Sequence, residues 1–492
     1  MTLRQLLEGV ETAVEDGMET EVSGVAYDSR RVRRGDVFFA LEGGKSDGRD
    51  FARQAVEAGA VAVVARALEL PGIPVVRVPE PRLALAVAAA RWHGEPSLAL
   101  RVVAITGTNG KTTTTYLLES VFAASGWTPG VIGTTGARLG GESRPLAFTT
   151  PEALELEALL RDMRERGVAA VALEMSSHAL VQRRGYGLHS DVAVFPNLRH
   201  DHLDFHGTLE AYLDAKLMLF DGRNGDHGLK PWTAVVNADD PVAPRALAAA
   251  ARGGGAAWTF GAAPGSTFRI VDVEPRPAGV AFALEHEGTR TPIALPLLGR
   301  HNAWNAAAAF AAARALGLST GAVARGLAAV KVVPGRLERV VAGQPFEVVV
   351  DYAHTPDALD RALATAREHT RGEVLVVFGC GGDRDRAKRP AMGRVAAARA
   401  DRIWVTSDNP RSEDPAAIAA EVVAGLGSHA ATVELDRRAA IAEALAAARP
   451  GDLVLIAGKG HETTQTIGDR VLPFDDREVA REQLATLGTR GA

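Results

Sequence analysis

Short runs of β-branched and aliphatic residues, each followed by a helical repeat of apolar positions, recur along almost the whole chain. In the first stretch VSGVAYDSR, DVFFAL, AVAVVA and IPVVRV read as strands, and residues 49–58 and 81–92 carry helical periodicity. A second series holds RVVAI, GVIGTT (130–135), AAVALEMSS (169–177), VAVFPNL (192–198) and TAVVNADD (233–240) between helical segments. A third repeats the rhythm through EVVVDYAHTP, VLVVFGCGGDRD, RIWVTSDNPR and LVLIAGKGHE. Strands this continuously apolar, alternating with helices, predict an α/β protein whose mostly parallel sheets are covered on their faces. HGEPS at 93–97 and the Pro-Gly break in VVPGRLE at 332–338 are expected linkers. The expected organisation is a small N-terminal α/β domain over residues 1–98, a central domain over 99–332 and a Rossmann-like C-terminal domain over 333–492.

The central domain opens on RVVAITGTNGKTTTTYLL, which reads as strand, glycine loop and helix. Gly107, Thr108, Asn109, Gly110, Lys111, Thr112 and Thr113 form a shortened phosphate loop; the common form has its first glycine where this chain has Ile105. Glycines let several backbone N–H groups face one anion, Lys111 adds a charge for terminal phosphates, and Thr112 offers a hydroxyl to Mg²⁺. ATP or GTP binding is the expectation, with the central sheet of the P-loop ATPase kind. Ligands should gather at the carboxyl ends of its strands. Thr149 and Thr150 in FTTPE, Glu174 to His178 in EMSSH and Asp201 to His206 in DHLDFH fall there. Glu174 suits a hard cation or a simple strand-end cap. DHLDFH could be a zinc site, a loop for metal and substrate, or a polar turn; with no cysteine nearby, Mg²⁺ with oxygen ligands and one histidine is the better reading.

Lys216 is the one charge on a helical face with Leu209, Tyr212, Leu213, Leu219 and Phe220. Burial there would favour a neutral amine able to react with CO₂ to a carbamate, whereas a snorkelling lysine would reach solvent. His301, Asn302 and Asn305 begin a later helix and could contact a purine, with N-capping by Asn302 as the simpler role. In the first domain, Asp28, Ser29 and Arg30 close a strand, and the loop with Gly43, Gly44, Lys45 and Gly48 could hold an anion or be a solvated turn. In the third, Arg384 with Asp385, then Asp408, Asn409 and Arg411, then Lys459, His461 and Glu462 would line one sheet edge. Acids and arginines together suit a zwitterion such as an amino acid, though strand-end salt bridges would use the same residues.

Composition narrows the partners. At 492 residues, 47% hydrophobic, 23% charged and with a net charge of −5, the chain reads as an ordinary soluble protein, and nucleic acid is not expected as a partner. Its single cysteine, Cys380, excludes an intrachain disulfide and fits a reducing cytosol. The N-terminus has acids where a secretion signal needs bases, and the apolar stretch at 303–318 is interrupted by Arg314. A cytoplasmic protein without membrane contact is expected.

GTNGKTTTT, TTPE, EMSSHAL, NLRHDHLDFHG, the helix with Lys216, LGRHNAWNA, PGRLE, DYAHTPDAL, FGCGGDRDRAKRP, SDNPR and AGKGHE, in this order, resemble the Mur ligases. The resemblance implies a three-domain ATP-dependent amide ligase that acts on UDP-N-acetylmuramoyl-L-alanyl-D-glutamate, as a monomer. By that similarity Ser29, Thr149, Thr150, Ser177, Gln182 and Arg184 contact the UDP-muramoyl dipeptide, so that residues 1–98 bind the UDP-sugar. Gly107 to Thr113 hold ATP; Thr112, Glu174 and His202 surround Mg²⁺, and Lys216 is carbamylated, with Lys111, Glu174, His202 and Lys216 as the catalytic set. Asn302, Arg336 and Asp351 are implied nucleotide contacts. Arg384, Asp408, Asn409, Pro410, Arg411, Gly458 and Glu462 match the amino-acid site. DNPR, with Arg411, resembles the version that accepts meso-diaminopimelate, because arginine can grip the second carboxylate that lysine lacks. Arg199 and His200 depart from the family pattern, which has a small hydroxyl residue and then arginine before the aspartate.

Overall fold

A computed structural model describes residues 1–13, 17–43, 46–225 and 227–490. It is an α/β structure with N-terminal, central and C-terminal domains. By its internal contacts the chain forms two compact units: Met1–Leu198 with Glu210–Phe268 and Ala308–Gly326, and Arg199–Leu209 with Arg269–Ala307 and Leu327–Ala492.

In the first unit, Gly24–Ala26, Asp36–Phe39, Ala62–Ala65 and Val75–Arg77 form a four-stranded sheet in that order, every pair parallel. Alternation along DVFF sends Val37 and Phe39 to a core with Leu3, Leu6 and Leu85, and Phe38 to a second core with Ala52 and Ala55. Gly44 and Lys45 of the expected anion loop lie outside the described residues.

The central sheet starts at Arg101–Ile105. Ala170–Glu174 pairs on one side of it and Val192–Phe195 on the other, both parallel. Pro129–Gly133 continues beyond Ala170–Glu174, while Thr233–Asn237 and Ala256–Gly261 continue beyond Val192–Phe195. The chain therefore leaves Arg101–Ile105 in both directions, which places a topological switch point, the usual ligand crevice of such sheets, at the end of this strand. A hairpin pair missed in the sequence, Gly136–Leu139 and Glu142–Arg144, closes one edge antiparallel. The expected HGEPS linker contains a short helix, Pro96–Ala99, preceded by Glu95 in left-handed backbone.

The second unit holds an antiparallel pair, Gly279–His286 with Thr289–Leu295, and a six-stranded sheet. Glu347–Asp351, Leu453–Ala457, Val374–Phe378 and Arg402–Val405 run parallel in that order, as the third series of strands predicts. Both faces are apolar: Val349, Val376 and Leu455 enter one core, Val348, Val350, Val377 and Ile456 the other. The loops after these four strands stand at one edge of the sheet.

Candidate functional site

The loop after Arg101–Ile105 takes its shape from two glycines. Gly107 has φ +121 and Gly110 φ +90, conformations that side chains strain. A Cβ on Gly107 would also stand 2.9 Å from Cδ of Pro196. Asn197 holds the loop from the neighbouring strand end: its side chain accepts from Asn109 N (2.9 Å) and donates to Asn109 O (3.0 Å), and its carbonyl accepts from Thr108 N (3.0 Å). Lys111 Nζ donates to the carbonyls of Gly107 and Thr108, both at 2.9 Å. The helix Lys111–Ala124 starts here from Gly110, an N-cap residue in left-handed backbone, so its first turn of N–H groups is directed toward the loop.

Glu174, buried at the end of its strand, is the hub. Its Oε2 accepts from Thr112 Oγ1 (3.2 Å) and Thr134 Oγ1 (3.0 Å), and its Oε1 from Thr134 N (3.0 Å). Thr134 in turn meets Thr149 Oγ1 at 3.1 Å, and Thr150 Oγ1 donates to Glu174 O at 2.8 Å. Gly133 leaves room for this carboxylate: a Cβ there would lie 2.3 Å from Glu174 Oε1 and push the side chain from its place. Thr134 lies outside every motif, and Asn197, the first residue of NLRHDHLDFHG, has no role assigned to it there; only their positions at strand ends mark them.

Lys216 is 1% exposed, so the snorkelling alternative falls. Its Nζ donates to Gly107 O at 2.8 Å and lies 4.2 Å from the Tyr212 ring centre. The Glu174 carboxylate and the Thr112 and Thr134 hydroxyls on it form a hard oxygen set of the kind that suits Mg²⁺. Among the described residues no three His, Cys, Asp or Glu side chains gather for a metal. His202, the fourth expected ligand, belongs to the second unit, where its Nε2 is 3.5 Å from Asp201 Oδ2.

Next to the threonines, Arg184 donates to Thr150 O (3.0 Å) and Gln182 Oε1 (2.6 Å), pairs with Glu152 (3.1 Å) and lies over the ring of Phe148. Ser177 is buried at the start of the helix Ser177–Val181. Ser29, buried in the first domain, donates to Gln54 Oε1 at 2.9 Å.

In the second unit Asn302 is not an N-cap. It lies inside the helix His301–Ala315, donates to Leu298 O (2.7 Å) and accepts from Asn305 (2.8 Å), because the preceding turn already offers it a carbonyl. Asp351 accepts from Leu337 N at 2.7 Å, and burial pushes its carboxyl pKa up against the opposing charge of Arg336. The Arg336 guanidinium lies 4.8 Å from the Tyr352 ring centre. Burial also lowers His461 to about 4, so the imidazole is neutral.

Asp408, Asn409 and Glu462 converge at the strand ends: Asn409 Nδ2 donates to Glu462 Oε2 at 2.8 Å, and Gly458 (φ +115) leaves room for Asp408, whose Oδ2 would be 2.6 Å from a Cβ there. Arg411, at φ +53, donates through Nη1 to Gly382 O (2.7 Å) and through its backbone N–H to Thr466 O (3.1 Å). Pro410 O fills the space that a Cβ on Gly382 would need. Arg384 is exposed and donates to Asp383 O at 3.1 Å. Cys380 is buried against Met392, and burial raises its thiol to about 12, as befits a packed residue.

Fold and loop define a multidomain α/β protein organised around a phosphate-loop strand and helix. Three family descriptions match it in order: the Mur ligase family, catalytic domain, over residues 21–93; the Mur ligase middle domain over 105–313; and the Mur ligase, glutamate ligase domain, over 335–460. The UDP-N-acetylmuramoyl-L-alanyl-D-glutamate--2,6-diaminopimelate ligase of Solibacter usitatus is 47% identical over 96% of this chain and 95% of its own length. A solved structure of a UDP-N-acetylmuramoyl-L-alanyl-D-glutamate--2,6-diaminopimelate ligase superposes with a TM-score of 0.72 at 34% identity, covering 99% of each chain. MurF ligase from Thermotoga maritima, solved in complex with ADP, shares the fold at 22% identity, with a TM-score of 0.64 over 97% of this chain and 100% of its own. The chain belongs to the Mur ligase family.

Proposed function

We propose that this protein is the ATP-dependent ligase that joins meso-diaminopimelate to the D-glutamyl γ-carboxylate of UDP-N-acetylmuramoyl-L-alanyl-D-glutamate. The reaction belongs to peptidoglycan precursor synthesis, and a cytoplasmic monomer working on soluble substrates fits it; no helix among the described residues is long and apolar enough to cross a membrane. Residues 1–98 would serve the UDP-sugar, 99–332 ATP and 333–492 the amino acid.

The chemistry must bring a carboxylate to the γ-phosphate of ATP, two anions. Lys111 and the N–H groups of residues 107–113 would hold the phosphates and offset charge on the transferring group. Mg²⁺, when bound by Thr112 and Glu174 with His202, would neutralise the phosphate oxygens. A carbamate on Lys216 would make an anion of a buried cation beside the loop, which suits that metal. Asn302, Arg336 and Asp351 would contact the nucleotide. The γ-carboxylate takes the phosphoryl group, giving an acyl phosphate and ADP. The deprotonated amine of diaminopimelate attacks the acyl carbon, and the tetrahedral intermediate expels phosphate as the amide forms. Ser29, Thr149, Thr150, Ser177, Gln182 and Arg184 would bind the UDP-muramoyl dipeptide. Arg384, Asp408, Asn409, Pro410, Arg411, Gly458 and Glu462 would bind diaminopimelate.

The observation that carries the choice of amino acid is Arg411 held beside the Asp408–Asn409–Glu462 group, a guanidinium for a distal carboxylate next to acids for an ammonium. The test is ATP-dependent phosphate release with the UDP-muramoyl dipeptide, comparing meso-diaminopimelate with L-lysine. Release with diaminopimelate alone is expected; release with lysine alone would overturn the amino-acid assignment, and none with either would overturn the ligase.

A further inference from the structure

Two cations, both 0% exposed, lie beneath the loops 407–411 and 457–462. Lys459 Nζ donates to Asn409 Oδ1 at 3.1 Å and to Glu462 Oε2 at 3.3 Å, and stands 3.9 Å from Asp408 Oδ1. Asn409 Oδ1 also accepts from Thr466 N at 3.0 Å, which leaves its Nδ2 to donate to Glu462 Oε2 at 2.8 Å. The Lys459 ammonium and the Thr466 N–H therefore together hold the asparagine amide in one orientation. Among the described residues both side-chain donors to the Glu462 carboxylate fall on Oε2, which leaves Oε1 for an incoming ammonium. Arg437 braces the roots of the same loops: it donates to Ser407 O (3.4 Å) and Ala457 O (2.9 Å) and is locked to buried Asp476 by bonds of 2.8 and 2.7 Å.

The charge count gives Lys459 its role. Two carboxylates and one ammonium leave a net negative charge that attracts a ligand ammonium, while the buried cation keeps the carboxylates from repelling one another. We propose that Lys459 is a positioning residue of the amino-acid site: untouched by the ligand, it sets the spacing of Asp408 and Glu462 and, with Thr466 N–H, anchors Asn409 between them. This inference rests on the ligase reading above.

The test is steady-state kinetics of Lys459→Met, each substrate varied in turn, with Lys459→Ala assayed with and without added ethylammonium. KM for meso-diaminopimelate is expected to rise at least about tenfold, with KM for ATP and for the UDP-muramoyl dipeptide staying within about twofold, and ethylammonium should bring the alanine variant back toward the wild-type KM. A diaminopimelate KM close to wild type, a parallel rise in all three KM values, or failure of both variants to fold would overturn the proposal, the last by making Lys459 a stability element alone. Absence of turnover in the wild type with diaminopimelate would instead strike the ligase reading.

Discussion

Glu157 offers a stability test that no ligand enters. It lies on the inner face of the helix Ala153–Glu165, 3% exposed, and its Oε2 has no hydrogen-bond partner among the described residues. Burial, helped by the charge of Glu95, raises its pKa from 4.5 to about 8. A folded-state pKa above the unfolded one gives a contribution that is complete below the unfolded value and is lost as pH rises through about 8. Each pH unit in that window costs ~1.4 kcal/mol, so the full difference from 4.5 to about 8 amounts to ~5 kcal/mol. Glu157→Gln keeps the shape and stays neutral. Near pH 5 the variant should match the wild type within ~1 kcal/mol, and near pH 8.5 it should be more stable by ~3–5 kcal/mol. His93, at the end of the facing helix and lowered by burial to about 4, titrates with the opposite sign but is common to both proteins and cancels in the difference. Urea unfolding across this pH range, followed by tryptophan fluorescence with Trp92 on the helix that contacts Ala153–Glu165, measures it. A wild-type-to-variant difference that stays flat with pH would refute the reasoning.

Three further outcomes follow from the sites. Lys216→Ala should lose at least about a hundredfold in kcat; if the lysine works as a carbamate, millimolar formate or acetate should restore part of the rate by supplying the missing carboxylate, and absence of a carbamate ¹³C NMR signal from the folded wild type equilibrated with ¹³C-bicarbonate would count against that. Gly107→Ala places a Cβ at φ +121 within 2.9 Å of Pro196, a strain of ~1–3 kcal/mol confined to the loop, so KM for ATP should rise while KM for diaminopimelate holds. Arg411→Ala should raise KM for meso-diaminopimelate by roughly 30- to 1000-fold without raising KM for ATP, and equal effects on both would remove arginine from amino-acid recognition.

The parallel strands and the phosphate loop were legible because an apolar run, a glycine turn and a helix obey local rules. The apolar helical neighbours of Lys216 allowed either burial or a snorkelling chain; the fold decides for burial by setting it against the distant carbonyl of Gly107. The roles of Thr134 and of Asn197, which opens NLRHDHLDFHG, could not be read, since a threonine or asparagine acquires such a role only when sheet register sets it against Glu174 or Asn109. Arg437 and Asp476, 39 positions apart, illustrate the same limit: each looks like a surface charge until the helices fold over both. Asn302 misled because its type favours capping, while the turn before it supplied the backbone carbonyl of Leu298 as an acceptor for its amide.

Cys380 has a practical consequence. It is the sole cysteine, buried, and its thiol is raised to about 12, so thiolate for alkylation is scarce at neutral pH. A cysteine introduced at any exposed position would thus be the dominant reactive thiol without first removing the native one. Fluorescent or spin reporters could be attached singly to either compact unit of an otherwise unaltered enzyme, and substrate-by-substrate changes followed from there.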